Sequence, residues 1–408
     1  MSDPLRILVI TTAPQTMAAF FPRQLRMLAQ AGLEVHAVSA PGEALDRLGP
    51  ECGITTHALP MQRQVDPLRD LASLWNLYRL IRSIRPHVVH AHTPKAGLLG
   101  MAAARLAGVG VRLYTVHGLP LLTRTGMWRR ILEAAERASA ALSTRTYCVS
   151  HSVRRELVRL KLCPENKAFT LGAGTCAGIN LDHFRPGPGR RATRATLGIP
   201  QDALLVTFIG RLAKDKGIGV LAAAWPEALR RYPNLRLLLA GEEDSTDPVP
   251  QEALDSLRQD PSVYWTGSIP AHSVPAIFDA ADICVLPTFR EGLSQVALES
   301  GAMGVPIVSS DVPGVTDPVL NGITGILVPP RQPALLADAL CRLAGSPSLR
   351  LQMGQAGIAH VHANFADKHI NGLWMAEYQN LIAALPGAPP RPRTRAKELT
   401  ANVSPNCR

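Results

Sequence analysis

Two glutamates separated by seven residues frame the segment Glu291-Gly-Leu-Ser-Gln-Val-Ala-Leu-Glu299, which follows an apolar run and carries a helical pattern. Glu291 is expected in the loop at a strand end, and Glu299 about a turn and a half beyond Ser294, inside the helix. The free amides from Leu293 to Val296 would direct a positive helix end at phosphate oxygens. Glu291 beside that pole can accept hydrogen bonds from sugar hydroxyls, and Glu299 from a ribose. An acidic residue favoured by the helix dipole, with a second glutamate in solvent, would give the same spacing. The nearly apolar surroundings of Glu299, Val296-Ala-Leu-Glu-Ser-Gly-Ala302, speak against that.

Upstream, Gly210-Arg-Leu-Ala-Lys-Asp-Lys-Gly217 follows another apolar run. Its glycines permit close backbone approach, and Arg211 and Lys216 can neutralise a diphosphate, the first by bidentate bonds and the second as a point charge. A solvated loop with chance basic residues is the competing reading, and Lys214 is assigned to it. In the first half, His92 closes Val89-His-Ala-His92 and His117 closes Tyr114-Thr-Val-His117, each at a strand end. His90 and His92 could share a strand face as metal ligands, yet no Cys or carboxylate lies nearby to complete a set, and the chain has no Asp-x-Asp pair. No metal is expected.

These residues need strand ends to hold them. Short apolar runs alternate with helix-patterned stretches almost throughout, the mark of strand-helix-strand units and a parallel sheet. The first series of strands is expected at residues 6–11, 34–39, 88–91, 112–116 and 146–149. A second opens at residue 204 and continues through runs beginning at 237, 263, 283, 306 and 326. Fully apolar strands such as Ile7-Leu-Val-Ile10 suit burial on both faces. Glycines and prolines crowd residues 171–200, as an interdomain connection requires. We therefore expect an α/β protein of two doubly wound domains, 1–190 and 191–385, facing a central cleft, with a disordered tail over 386–408 and a last helix able to pack back on the first domain. Ligands of such sheets bind at the carboxyl ends of the strands.

With 408 residues, two cores are the default. The 46% hydrophobic and 18% charged content suits a globular protein. Seven scattered cysteines without a Cys-x-x-Cys pair fit a reducing cytoplasm. The amino-terminal run reads as a first strand rather than a signal peptide. No stretch reaches the roughly 20 apolar residues of a membrane span. The net charge of +11 is uneven: residues 1–200 hold 26 Lys and Arg against 12 Asp and Glu. Nucleic acid is the weakest explanation, because aromatics are few and no nucleic-acid motif is present. Arg124, Arg129, Arg130, Arg137, Arg154, Arg155, Arg159 and Lys161 are expected on two successive helices, where each could add about 1 kcal/mol toward an anionic bilayer. A solvated basic face without a partner is equally consistent.

At Glu291 and Glu299 the chain resembles the GT-B glycosyltransferases of family 4. The resemblance extends over Gly210-Arg-Leu212, Lys216-Gly217, Leu239-Ala-Gly241, Asp311-Val-Pro-Gly314 and Asn321-Gly-Ile-Thr-Gly325. It implies two Rossmann-like domains and transfer from a nucleotide sugar, UDP-linked and with no metal or other cofactor. Arg211 and Lys216 would hold the donor diphosphate near Gly210, Glu299 the ribose and Glu291 the transferred hexose or N-acetylhexosamine, with Leu293 and Ser294 beside it. Val89-His-Ala-His-Thr-Pro-Lys-Ala-Gly97 and Tyr114-Thr-Val-His-Gly-Leu-Pro120 resemble the branch that builds bacterial capsule, exopolysaccharide or O-antigen repeat units on a lipid carrier. In that branch His92 would lie against the donor sugar, with His117 next to it. Where many members have a Gly-Gly turn after the first strand, this chain has Thr11-Thr-Ala-Pro, so Thr11 or Thr12 would take over the donor contact.

The resemblance further implies retention at the anomeric carbon, a lipid-diphosphate-linked acceptor entering from the basic domain, and a cytoplasmic enzyme peripheral to the inner leaflet. A sugar-nucleotide epimerase of the same fold and a transferase with a soluble acceptor are the alternatives.

Overall fold

The computed structural model describes residues 5–62, 66–174 and 177–384. The tail expected over 386–408 lies outside them. Seven strands form the first sheet: β1 (Arg6–Ile10), β2 (Glu34–Ser39), β3 (Thr55–Ala58), β4 (Val88–His92), β5 (Val111–Val116), β6 (Arg145–Cys148) and β7 (Ala168–Phe169). Their order is β3-β2-β1-β4-β5-β6-β7, and each pairing is parallel. The apolar run of β1 shows why. Leu8 and Ile10 enter one buried cluster and Ile7 and Val9 another, so alternation feeds a helical layer on each face. Strands β3 and β7 escape the sequence expectation. Thr-Thr-His-Ala is too polar, and two residues too few, to read as strands, and both lie on edges where one side lacks a neighbour.

The second sheet contains β8 (Leu204–Ile209), β9 (Leu235–Ala240), β10 (Val263–Gly267), β11 (Ile283–Leu286), β12 (Ile307–Ser310) and β13 (Gly325–Val328), in the parallel order β10-β9-β8-β11-β12-β13. The order reverses between β1 and β4 in the first sheet and between β8 and β11 in the second. Loops leaving those four strands diverge, and the crevices they open are where ligands of such sheets sit. Helix Asp367–Ala383 returns to the first sheet, with Ile370, Trp374 and Tyr378 buried among Ile7 and Val9. Its Tyr378 hydroxyl is 2.5 Å from His90 Nδ1, and His90 Nε2 is 2.7 Å from the Thr115 hydroxyl.

The two sheets meet through backbone at their carboxyl edges. A Cβ on Gly292 would stand 2.0 Å from the His117 carbonyl oxygen, so only glycine admits this approach. The Ser150 hydroxyl donates to the Gly292 carbonyl at 2.7 Å. Asp317 of the second domain accepts from the Ser152 amide at 3.1 Å and from the Ser152 hydroxyl, satisfying the start of helix His151–Arg159 from across the boundary.

The basic residues expected on two helices fall partly outside them. Arg124 precedes helix Gly126–Leu142 and Lys161 follows helix His151–Arg159. Arg129 and Arg137 pair with Glu133, Arg159 with Glu156 and Arg154 with Glu165, so about half of this cluster is balanced locally.

Candidate active site

A cleft of about 270 Å³ lies between the domains, walled by Thr16, Phe20, Thr93 and His117 on one side and by Lys216, Glu291 and residues 292–296 on the other. Its charged wall is set by two strand ends. After β8, a short turn at Lys214–Lys216 ends in Gly217, which has a φ of 75°. A Cβ on Gly217 would stand only 1.9 Å from the Pro287 carbonyl oxygen, so the turn is pressed directly against the loop after β11. Lys216 Nζ thereby donates to Glu291 at 2.6 Å, although 75 positions separate them. Behind this pair, Asp215 accepts from Arg290 at 2.7 Å, and Arg290 Nε donates to the Thr123 hydroxyl of the first domain at 3.0 Å. Motif reading missed Asp215 and Arg290. Their only signal was adjacency, each directly preceding a singled-out residue.

Ser294 caps helix Gln295–Ala302, its hydroxyl accepting from the Ala297 amide at 3.3 Å. Of the four amides expected to face phosphate, that of Ser294 instead donates to the Gly314 carbonyl at 2.8 Å. Gln295 and Val296 line the cleft, as do Leu293 and Ser294. Glu299 lies in the second turn of this helix, with no ion-pair partner among the described residues. Burial pushes its carboxyl group up to about 8.

Arg211 departs from expectation. Its side chain is 58% exposed and its guanidinium pairs with Asp244, outside the residues that wall the cleft. Gly210 precedes it at φ 140°, and a Cβ on Gly241 would stand 1.8 Å from the Gly210 carbonyl oxygen, so the Gly210 backbone serves packing between β8 and β9.

The histidines exchange places relative to expectation. His117 reaches the cleft wall, whereas His92 is 2% exposed and stands behind it, Nδ1 lying 3.0 Å from His117 Nε2. Phe21 covers His92 at 4.4 Å between ring centroids. Burial first, and the neighbouring histidines second, hold His92 well below the ordinary histidine range; burial takes His117 down to about 4 and His90 to about 3. All three rings are neutral at pH 7. His92 Nε2 is buried without a hydrogen-bond partner among the described residues.

The loop after β1 also differs. The Thr11 hydroxyl donates to the Ala13 carbonyl at 3.1 Å, and the Thr12 hydroxyl is 3.0 Å from that of Thr93. A helix, Pro14–Phe20, follows at once, with Pro14 at its first position, and its Thr16 and Phe20 reach the cleft in place of Thr12. Among the described residues no three His, Cys, Asp or Glu side chains converge as a metal site requires.

Comparison with known proteins follows the same division. Residues 23–172 match the family described as Glycosyltransferase Family 4, and residues 203–346 the family described as Glycosyl transferases group 1. The capsular polysaccharide biosynthesis glycosyltransferase CapM of Staphylococcus aureus is 29% identical over 348 residues, covering 85% of this chain and 90% of that protein. A D-inositol 3-phosphate glycosyltransferase of Acidothermus cellulolyticus is 29% identical over 314 residues, 72% of this chain and 67% of its own length. Among solved structures, Anabaena HepE in complex with UDP superposes with a TM-score of 0.74 at 16% identity, covering 93% of this chain and all of that one. With both halves matched in order, and two parallel sheets meeting at one cleft, the chain belongs to the family 4 glycosyltransferases of GT-B fold.

Proposed function

We propose that this glycosyltransferase moves a hexose or N-acetylhexosamine from a UDP-sugar, with retention, to a lipid-diphosphate-linked saccharide in bacterial surface polysaccharide synthesis. The observation that carries the donor half is the Lys216–Glu291 pair facing His117 across the cleft. Lys216 has three N–H donors and directs one to Glu291, leaving others for diphosphate oxygens. The start of helix Gln295–Ala302 adds a second positive pole, so the leaving diphosphate needs no metal in this reading. Glu291 accepts from the transferred sugar, Glu299 from the ribose, and neutral His117 contacts the sugar from the opposite wall. The anomeric carbon–oxygen bond to the diphosphate breaks while the acceptor oxygen bonds on the same face, and the acceptor's proton passes to the departing diphosphate. Arg211 joins only by leaving Asp244 when the donor binds.

The CapM likeness supports a role in surface polysaccharide synthesis. Exposed Met127, Trp128 and Ile131 at the start of one helix, flanked by Arg124 and Arg130, support docking on an anionic inner leaflet, and no described helix is long and apolar enough to cross a membrane. A small phosphorylated acceptor, of the kind named for the Acidothermus relative, is the second reading. Purified protein incubated with individual UDP-sugars and a bacterial lipid extract should release UDP and yield a chloroform-extractable labelled glycolipid. UDP release with soluble acceptors alone favours the second reading, and conversion of the UDP-sugar without any acceptor favours an epimerase. Flotation with liposomes should depend on anionic lipid; indifference to lipid charge removes the docking argument.

A further inference from the structure

The histidine wall of the first domain leans on a residue from the far end of the chain. Along β4, Val88, His90 and His92 alternate toward the face that helix Asp367–Ala383 covers, whereas Val89 and Ala91 enter the opposite cluster. His92 is weakly held by its own hydrogen bonds. Its Nδ1 meets His117 Nε2 at 3.0 Å, and its Nε2 is buried with no hydrogen-bond partner among the described residues. Two neighbouring rings confine it instead: Phe21 at 4.4 Å and His90 at 4.0 Å between centroids, tilted by 46° and 34°.

His90, by contrast, is bonded at both ring nitrogens. The Tyr378 hydroxyl stands 2.5 Å from Nδ1 and the Thr115 hydroxyl 2.7 Å from Nε2. A neutral imidazole has one donor and one acceptor nitrogen, and a hydroxyl can serve either, so both bonds form whichever nitrogen carries the proton. Held on opposite sides, the ring cannot swing about its Cβ–Cγ bond. Trp374 adds a face at 5.0 Å between centroids. Tyr378 is itself fully buried, and its helix is tied to the sheet where Arg145 at 2.6 Å and the Tyr147 hydroxyl donate to Glu377. The contacts thus run without a gap from Tyr378 through His90 and His92 to His117 at the cleft.

We infer that Tyr378 is a positioning residue for glycosyl transfer: its hydroxyl locks His90, the His90 ring packs His92 in place, and His92 holds His117 at the cleft wall. The inference rests on the sugar contact proposed above for His117 and deepens it. Tyr378 lies 288 positions from His90, so the neutral wall is complete only once the chain has returned from the second domain. Packing needs the Tyr378 ring, whereas positioning needs its hydroxyl. A buried ring nitrogen deprived of its partner stays unsatisfied or turns toward another, and either outcome shifts the stack.

Tyr378→Phe separates the two roles, because it keeps the ring and deletes the hydroxyl. With the UDP-sugar that supports UDP release, kcat should fall by about tenfold while KM and UDP affinity stay within about twofold, since a displaced sugar contact disturbs the reacting geometry rather than diphosphate binding. Nitrogen NMR of the full chain labelled in its histidine rings should show the His92 and His117 signals moving, each signal being identified by its loss in His92→Gln and His117→Gln. Tyr147→Phe is the control. It deletes a hydroxyl that ties down the same helix but donates to Glu377 rather than to a histidine, so kcat and the His117 signal should stay at their wild-type values. Thr115→Val removes the bond at the other His90 nitrogen and should reproduce Tyr378→Phe, which keeps the claim testable if that variant fails to fold. Unchanged kcat or unmoved His92 and His117 signals in the folded variant overturn the inference, and so do equal losses in Tyr147→Phe, which make the helix a support only. Ring signals that stay put in an active enzyme sink the positioning alone, whereas a wild-type chain that releases UDP from no UDP-sugar sinks the reading on which it rests.

Discussion

The two walls of the cleft follow opposite physical plans. The second domain presents charge: Lys216 and Glu291 are paired at 2.6 Å, backed by Asp215 and Arg290, on loops pressed together at Gly217 and Pro287. The first domain presents neutrality: His117 in front of His92, with burial holding both rings uncharged. A diphosphate is anionic in substrate and product alike, so fixed positive charge suits it throughout the reaction. In the proposed reaction the acceptor hydroxyl gives up its proton to the leaving group, and the uncharged rings leave the developing charge to the opposite, charged wall.

Lys216→Ala tests this contrast most severely. It should lower kcat by about 10²–10³-fold and weaken UDP binding, because the charge developing on the diphosphate loses its nearest cation. Unchanged turnover and donor affinity would strip the charged wall of its role. On the neutral wall, His117→Ala should cost about 10²-fold in kcat by loosening sugar placement. His92→Ala removes only the ring behind it and should cost less; equal losses would show that the two rings act as one unit.

Glu299 sharpens the comparison through pH. Its carboxyl group is raised from 4.5 to about 8, so at pH 7 it is largely protonated in the free protein. In the proposed role ribose hydroxyls donate to the ionised form, and UDP binding should therefore release a proton and tighten as pH rises toward 8, by no more than about tenfold per pH unit. Calorimetry in buffers of different ionisation enthalpy measures that proton, and Glu299→Gln should abolish both the release and the slope. The same raised value opposes folding: the associated stability is complete below about pH 4.5 and is lost as pH rises through about 8. Asp317→Ala should have the smallest effect, lowering stability by about 1 kcal/mol in denaturant unfolding, since it removes an interdomain helix cap without touching either wall.

Lys216 and Glu291 of the charged wall were legible in the sequence because they lie in two short loops at strand ends. Glycines at the required turns and charged residues at fixed offsets need only the strand-helix pattern to bring them to the same edge. The neutral wall was less legible. His92 and His117 both close strands of similar pattern, and nothing local says which ring faces outward. Phe21 decides, its ring 4.4 Å from His92 and 6.1 Å from His117, covering the first more closely and leaving half-buried His117 at the cleft wall. Arg211 was singled out for its place in a basic loop, yet Asp244 holds it at the rim.

By itself the sequence determined the alternation of elements, the two parallel sheets, and Lys216 and Glu291 of the charged wall, because periodicity and turn chemistry operate over a few neighbouring positions. Tertiary structure decided what those residues meet: which histidine reaches the cleft, that Gly292 must lie against His117, and that Asp317 caps a helix of the other domain. Such partners are remote along the chain, and packing and burial, rather than local propensity, select them.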